Sequence, residues 1–168
     1  PSLGRILLEA KKQNCLKEIL VVISALSISD PKERPFDKAE KADQAHLLFH
    51  DSESGFLCFL KLWKLLKSEK QSQNSKTLRN FCQKYFLSFT RMREWQELHK
   101  QLSEMIKEFG FNISEKNATY EQIHVSLLSG LLGNIGFKII DEYYYQGTRS
   151  KKFLIGPKLF RNENYKWI

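Results

Sequence analysis

The chain has 168 residues, of which 42% are hydrophobic and 12% aromatic, so it can bury a core and wholesale disorder is excluded. Its 27 Lys and Arg residues against 19 Asp and Glu residues give a net charge of +8, which favours nucleic acid or another polyanion as partner, although many basic domains bind none. The longest apolar run, 19–28, is far short of the ~20 residues that a membrane span needs, so we expect neither a membrane protein nor a signal peptide.

Apolar residues at three- and four-residue spacing predict helices over most of the chain. The predicted helices are Leu3–Lys12, Cys15–Leu26, Asp37–His50, Gly55–Lys70, Thr77–Phe86, Phe86–Phe109 and Tyr120–Ile135. The second of these is apolar nearly all round, which predicts burial on several sides. Pro31 and Pro35 mark the connection after it, and the polar stretch Ser68–Lys76 is predicted to be a solvated loop.

Two predicted helices carry a clear inward side. In the fifth, we expect Leu78, Phe81, Cys82 and Tyr85 to face the core. The sixth has an apolar stripe of Trp95, Leu98, Leu102, Met105, Ile106 and Phe109. Trp95 starts that stripe, so we expect it in the core rather than as a stacking surface for a base, and Gly110 suits a helix end with positive φ.

The composition changes after Gly136. Phe137–Tyr145 is β-branched and aromatic and predicts a strand, 146–150 a turn, and Lys152–Gly156 a second strand of a hairpin. Tyr165–Ile168 is expected to be part of a further strand. Because successive strand residues face opposite sides, at least one of three adjacent tyrosines should point to solvent: Tyr143, Tyr144 and Tyr145.

Sites for catalysis or metal are not evident in the sequence. There is no G-x-x-x-x-G-K-[ST] phosphate loop, and Cys15, Cys58 and Cys82 lie far apart in apolar helical patterns, which suits core residues in a reducing cytosol. His46 and His50 have the i, i+4 spacing of metal ligands, but Leu47 stands where metalloproteases need Glu, and surface histidines are the simpler interpretation. We expect no catalysis, cofactor or metal in this chain alone.

Several blocks of the sequence carry a resemblance to a known family: Leu3–Ala10 with Cys15–Leu20, Ala25–Pro35, Ala42-Asp43 with Phe49, Asp51–Trp63, Phe86–Leu102 and His124–Gly136. Together, and in the same order, they resemble the C-terminal helicase-associated region of bacterial DEAH-box RNA helicases of the HrpA type. Leu3–Ala10 with Cys15–Leu20 resembles the helical end of a winged-helix domain, Ala25–Pro35 resembles the junction after it, and the remaining blocks resemble the ratchet-like helical domain.

This resemblance implies a mainly α fold: a helical bundle with a winged-helix tail and a partial β element from a truncated OB-fold. The implied domains are 1–28 (winged-helix end), 29–135 (ratchet-like domain) and 136–168 (start of the OB-fold). The chain begins at Pro1 rather than Met, and we expect both ends to be boundaries within a longer protein. The RecA-like ATPase domains are missing, so ATP and Mg²⁺ are expected only in the intact, cytoplasmic helicase.

The resemblance also implies a role in guiding single-stranded RNA and buttressing the RecA-like motor domains, without chemistry of its own. Candidate RNA contacts on the helices are Arg91 and Arg93, flanked by Lys84 and Lys100, because guanidinium groups reach phosphates and stack on bases. Alternatively, both arginines pair with Glu94 or Glu97 on a solvated helix. A second candidate group, at the hairpin tip, either touches the RNA backbone or contacts nothing: Thr148, Arg149, Lys151 and Lys152.

Two other functions remain open at this point. In the first, the chain is a protein-interaction scaffold whose apolar surfaces around Ile19–Ile23 and Phe137–Tyr145 dock the motor domains or another protein, with no direct RNA contact. In the second, the chain is a small enzyme, for which a pocket of groups with shifted pKa values would be the sign.

Overall fold

The computed structural model describes residues 2–68, 74–140 and 142–154. These residues are mainly helical and end in a small antiparallel sheet, so the predicted combination of helices with a partial β element is confirmed. The helices are α1 (Ser2–Lys12), α2 (Leu16–Leu26), α3 (Ala39–His46), α4 (Gly55–Ser68), α5 (Ser75–Tyr85), α6 (Phe89–Glu108) and α7 (Tyr120–Leu131). The strands are β1 (Phe137–Lys138), β2 (Tyr145–Gln146) and β3 (Lys152–Phe153).

Helix α2 lies at the centre of the bundle, and every residue from 19 to 25 is buried. Val21 and Ala25 pack into one hydrophobic cluster with residues of α4, α5 and α6. Ile19 and Ile23 belong to a second cluster, built with α1, the end of α6 and α7. The predicted burial of α2 on several sides is therefore confirmed, because one apolar helix serves two cores.

The predicted end of one helix at Phe86 is confirmed to within one residue, but the predicted start of the next helix at the same residue is wrong. Phe86 has φ of 52°, in the left-handed region, and α5 ends there with the Leu87 amide donating to the Cys82 carbonyl at 2.8 Å. Residues 86–88 then run beside the junction after α2: the Glu33 amide donates to the Phe86 carbonyl and the Ser88 amide to the Pro31 carbonyl, both at 2.8 Å. This long-range pairing takes up backbone groups that a continuous helix would have used, so α6 begins only at Phe89.

The predicted helix over Asp37–His50 is shorter than expected. Only α3 is α-helical, with 3-10 turns at Phe36–Lys38 and Leu47–Phe49 on either side. Because a 3-10 turn has three residues per turn, the residues after His46 rotate relative to the helical pattern. Phe49 is buried in consequence, whereas Leu48 is 64% exposed.

Helix α6 confirms most of its expected inward side. Trp95 is fully buried, and its indole nitrogen donates to the Val21 carbonyl at 3.1 Å. Gly110 has φ of 71°, as the predicted helix end required. The last turn differs, because Met105 and Phe109 are largely exposed while Ile106 alone of that turn is buried.

The single strand predicted over Phe137–Tyr145 is wrong. The chain reverses between β1 and β2, where the Ile139 amide donates to the Tyr144 carbonyl at 3.1 Å. Glu142 interrupts the β-branched and aromatic run, and acidic residues disfavour a continuous strand. Tyr145 is buried and Tyr143 is 90% exposed, so the expectation that one tyrosine faces solvent is confirmed.

The strands form a sheet in the order β1-β2-β3, which joins the bundle through the Thr148 hydroxyl donating to the Gly133 carbonyl at 2.8 Å. Predictions for residues 69–73 of the polar loop, for the end of the Lys152–Gly156 strand and for Tyr165–Ile168 lie outside the described residues. The winged-helix and OB-fold assignments and the three domain boundaries stay predictions.

Helices α1 and α7 pack so closely that a Cβ on Gly130 would lie 2.4 Å from Ile6 Cγ1.

Candidate nucleic-acid interface

Helix α5 is held by a side-chain cap and by its apolar side. The Asn74 carboxamide oxygen accepts a hydrogen bond from the Thr77 amide at 2.8 Å, which starts the helix at Ser75 rather than at the predicted Thr77. The predicted inward residues are all buried, which confirms the apolar pattern: Leu78, Phe81, Cys82 and Tyr85. Burial of the Cys82 thiol raises its pKa to about 11, so it is an inert core group.

The opposite side of α5 is exposed and carries no negative charge. Its residues follow helical spacing and are Lys76, Arg79, Asn80, Gln83 and Lys84, all exposed. The helix Ser75–Tyr85 contains no Asp or Glu, so no carboxylate within the helix neutralises its three cations. We call these five residues the α5 face. Cations and amide groups together are suited to binding phosphates and to hydrogen bonding.

Two arginines flank Phe89, the first residue of α6. The guanidinium carbon of Arg79 lies 4.2 Å from the centroid of the Phe89 ring, and that of Arg93 lies 5.9 Å from it. Phe89 is half-buried against the cluster that contains Trp95. Arg93 is also 3.6 Å from a carboxylate oxygen of Glu97, one turn further along the helix. We call Arg79, Phe89 and Arg93 the Arg-Phe-Arg site.

The other predicted contacts on α6 have different surroundings. Arg91 is half-buried, and its guanidinium donates to the backbone carbonyl of Asp30 at 2.9 Å, which ties α6 to the junction after α2. Lys100 is exposed and lies 3.9 Å from Glu104. Lys84 lies on the α5 face, with its ammonium 4.7 Å from the ring centroid of Tyr85. The structure therefore groups Lys84 and Arg93 near the α5 face, and gives Arg91 a structural contact.

The predicted hairpin-tip residues lie beside the end of α7. Thr148 uses its hydroxyl for the bond to Gly133, and Arg149 is exposed in a left-handed conformation with φ of 58°. The carbonyl of exposed Lys151 accepts from the Gly147 amide at 2.8 Å, and Lys152 is 3.1 Å from a carboxylate oxygen of Glu142. These side chains form a separate basic group, whose described hydrogen bonds stay within the sheet and the end of α7.

Lys76, Arg79 and Phe89 are not among the RNA contacts predicted from the sequence. A signal for two of them existed: Lys76 and Arg79 share a helical period with Lys84, and no acidic residue interrupts it. Phe89 had no such signal, because its approach to Arg79 depends on how α5 and α6 pack.

His46 and His99 make contacts that hold the helices of the bundle together. His46 Nε2 lies 3.1 Å from the Phe86 carbonyl and therefore donates to it, which binds α3 to the end of α5. Burial, with a smaller effect of Lys67, lowers the pKa of His99 to about 4, and its ring packs on Trp63 at 4.5 Å. Among residues 2–68, 74–140 and 142–154, no group of three or more His, Cys, Asp or Glu side chains is placed to hold a metal.

Ser54 and His124 form a close hydrogen-bonded pair that resembles part of a catalytic dyad. Ser54 Oγ lies 2.7 Å from His124 Nε2, and His124 Nδ1 lies 2.7 Å from the Tyr120 carbonyl, to which it donates. Ser54 is buried, and its oxygen also accepts from the Phe56 amide at 3.2 Å at the start of α4. The pair therefore joins α4 to α7, and the serine is not open to a substrate.

None of the helices in the part of the chain that the structure describes is long and apolar enough to cross a membrane.

Comparison with known proteins gives the clearest information on the family. The chain is 42% identical over 170 aligned positions to the ATP-dependent RNA helicase HrpA of Escherichia coli (strain K12), and 39% identical to the HrpA homolog of Haemophilus influenzae. Both alignments cover 100% of this chain but only 13% of the relative.

A more distant similarity reaches a eukaryotic helicase. The chain is 25% identical over 146 positions, 87% of its length, to the pre-mRNA-splicing factor ATP-dependent RNA helicase prp22 of Schizosaccharomyces pombe, of which it covers 12%. Residues 1–104 match the family described as "Helicase associated domain (HA2), ratchet-like". The chain therefore belongs to the family of helicase-associated (HA2), ratchet-like domains.

Proposed function

We propose that this chain is a non-catalytic accessory region of an ATP-dependent RNA helicase, and that it guides single-stranded RNA along the α5 face. The observation that carries the proposal is the outward side of α5, where three cations and two amides are exposed on a helix that itself contains no Asp or Glu. The names of the relatives, which are RNA helicases, supply the class of nucleic acid. Binding through phosphates releases counterions and should depend strongly on salt.

This RNA path differs from the one expected from the sequence. Arg93 and Lys84 remain in it, because Arg93 belongs to the Arg-Phe-Arg site and Lys84 to the α5 face. Lys100 is a peripheral contact two turns further along α6, and the hairpin group of Thr148, Arg149 and Lys151 is a second, separate contact with the RNA backbone. Arg91 is left out, because its guanidinium is used by the Asp30 carbonyl.

The second part of the proposal is that the chain buttresses the RecA-like motor domains of the same polypeptide. Val125, Leu128 and Leu132 are each about half exposed on the outward side of α7 and its 3-10 extension, opposite the side that packs into the bundle. An apolar stripe of this kind is typical of an interaction surface. ATP and Mg²⁺ would be bound by the motor domains of the intact cytoplasmic protein, and the sequence here has no phosphate loop to hold them.

Fluorescence anisotropy of a labelled oligouridylate, titrated with the chain at several salt concentrations, tests the RNA part. The variant Lys76→Gln/Arg79→Gln/Lys84→Gln should bind more weakly and show a salt slope smaller by about two to three, since each phosphate contact contributes roughly one. A matched control is Lys41→Gln/Lys64→Gln/Lys107→Gln, which removes three exposed lysines from α3, α4 and the end of α6. Equal losses in both variants would contradict a specific path on α5.

The protein-interaction scaffold is the alternative function. The docking surface expected around Ile19–Ile23 is wrong, because these residues are buried, and the exposed stripe on α7 is the observation that favours a scaffold. In that case the chain binds no single-stranded RNA even at low salt, and Leu128→Lys in the intact helicase lowers activity by weakening contact between domains. If RNA binding is normal and Leu128→Lys has no effect, the guiding role stands and the buttressing surface lies elsewhere.

A further inference from the structure

We infer that the Arg-Phe-Arg site stacks one unpaired nucleobase of the bound strand. The inference rests on the proposed RNA-guiding function and gives it a specific contact. Most cations of the α5 face can only attract phosphates, whereas Arg79 and Phe89 together present planar groups at one place. Planar side chains are what unstacked bases require, since every base has a π-face.

The geometry favours a base over a phosphate at this position. With its guanidinium carbon 4.2 Å from the Phe89 centroid, Arg79 lies over the ring, and yet the residue is exposed. Since one side of the guanidinium covers the ring, its other side is open to a ligand that stacks on it. Arginine, unlike lysine, is planar and can be sandwiched between two rings.

Arg93 adds a second cation at the edge of the same site. It lies 5.9 Å from the Phe89 centroid and is partly neutralised by Glu97, 3.6 Å away, so its attraction for phosphate is reduced. Phe89 is held in place because it packs against the core cluster around Trp95 and begins α6. A fixed ring with two guanidinium groups near it is therefore ordered before the strand arrives, which lowers the entropic cost of stacking.

An acidic peptide is the competing ligand class, because it would also be attracted to these cations. The observations favour RNA, since a carboxylate gains little from the half-buried ring of Phe89, and the neighbouring α5 face offers amide groups at Asn80 and Gln83 in addition to charge. Amide side chains can hydrogen-bond to phosphate oxygens or base edges.

The test compares a short labelled oligouridylate with an oligomer of equal length and charge whose central residues lack bases. The variants are Phe89→Leu, which keeps an apolar side chain against the core, and Arg79→Lys, which keeps the charge but removes the planar group. Wild-type protein should bind the base-containing strand about tenfold more tightly than the abasic one. Each variant should lose most of that difference, with an unchanged salt slope, while Phe89→Tyr should retain it.

Several results would overturn the inference. One is equal affinity of the wild type for both oligomers with normal salt dependence, which would leave RNA guiding intact but limit the site to charge. Another is tighter binding of a polyglutamate peptide than of oligouridylate, which would indicate an acidic protein partner. Complete lack of RNA binding at low salt would reject the inference together with the proposed function, and circular dichroism of each variant establishes that it is folded.

Discussion

The guanidinium of Arg91 donates a 2.9 Å hydrogen bond to the backbone carbonyl of Asp30, so the first turn of α6 is fixed to the junction that follows α2. Arg93, only two residues later, is exposed and lies beside Phe89 and Glu97 instead. Two arginines that look equivalent in the sequence therefore have different roles, one in the fold and one at the candidate interface.

This difference predicts opposite effects of two matched substitutions. Arg91→Met should lower the free energy of unfolding by about 1 kcal/mol, because a half-buried hydrogen bond is lost, and should leave RNA affinity nearly unchanged. Arg93→Met should change stability by no more than about 0.5 kcal/mol, as expected for an exposed ion pair, and should weaken RNA binding. Urea denaturation and anisotropy measure the two effects, and a larger loss of RNA affinity for Arg91→Met would contradict the assignment.

Trp95 is predicted to be the most sensitive aromatic residue of the core. Its indole nitrogen donates to the Val21 carbonyl at 3.1 Å and lies 3.0 Å from the Ser24 hydroxyl, in a fully buried position. Trp95→Phe removes that donor and part of the ring volume, and should lower the free energy of unfolding by about 2–4 kcal/mol in urea titrations. Trp63→Phe, at a half-buried neighbour, should cost less; the reverse order would be inconsistent with the described core.

Gly130 is predicted to be required for the packing of α7 on α1. A Cβ there would lie 2.4 Å from Ile6 Cγ1 and 2.5 Å from the Ser2 carbonyl oxygen, and the backbone atom cannot move aside alone. Gly130→Ala should therefore destabilise the chain by about 1–3 kcal/mol, although alanine is the better helix former.

The matched control is Gly4→Ala in α1, where nothing lies within 4 Å of the added Cβ. That variant should be more stable than the wild type by about 0.5–1 kcal/mol. Thermal melting compares the two, and a stabilising effect of both substitutions would show that α1 and α7 are further apart than described.

The half-buried His99 is predicted to make stability depend on pH. Its pKa falls from 6.5 to about 4 because burial disfavours the imidazolium, with Lys67 adding to the effect. Between these values the unfolded chain binds a proton at His99 that the folded chain does not, so the free energy of unfolding should decrease as the pH falls from 6.5 towards 4.

His99→Gln should remove this contribution and give a flatter pH profile over the same window. Urea titrations at intervals between pH 4 and pH 7 measure the slope for both proteins. If the two profiles are parallel, the imidazole of His99 is protonated to the same extent in the folded and unfolded chains, and its burial against Trp63 is not supported.

The parts of the fold that could be predicted are those controlled by local apolar spacing. The all-round apolar pattern of α2 predicted its central position, and the inward residues of α5 and the burial of Trp95 followed from helical periodicity. The helix end at Phe86 could be predicted, but the start of α6 three residues later could not, because it depends on backbone pairing with residues more than 50 positions earlier in the chain.

The candidate site was predicted only in part for a similar reason. Charge indicates Lys84 and Arg93 as candidate RNA contacts, and it indicates Arg91 equally. The bond of Arg91 to Asp30 separates it from the other two, but this bond is a tertiary contact that the sequence pattern does not show. The stacking of Arg79 on Phe89 joins two helices across a loop, so no spacing rule within either helix could indicate it. Charge in a sequence shows which residues are available for RNA, whereas the fold decides which of them are near one another.

The most direct test of the α5 face as the RNA path is photocrosslinking of an oligonucleotide containing 4-thiouridine to the chain, followed by mass spectrometry of the crosslinked peptides. We expect crosslinks within residues 75–93, with Phe89 among the modified positions, and their loss in Lys76→Gln/Arg79→Gln/Lys84→Gln. Crosslinks confined to the hairpin around Arg149 and Lys151, or unaffected by that variant, would contradict an RNA path along the α5 face.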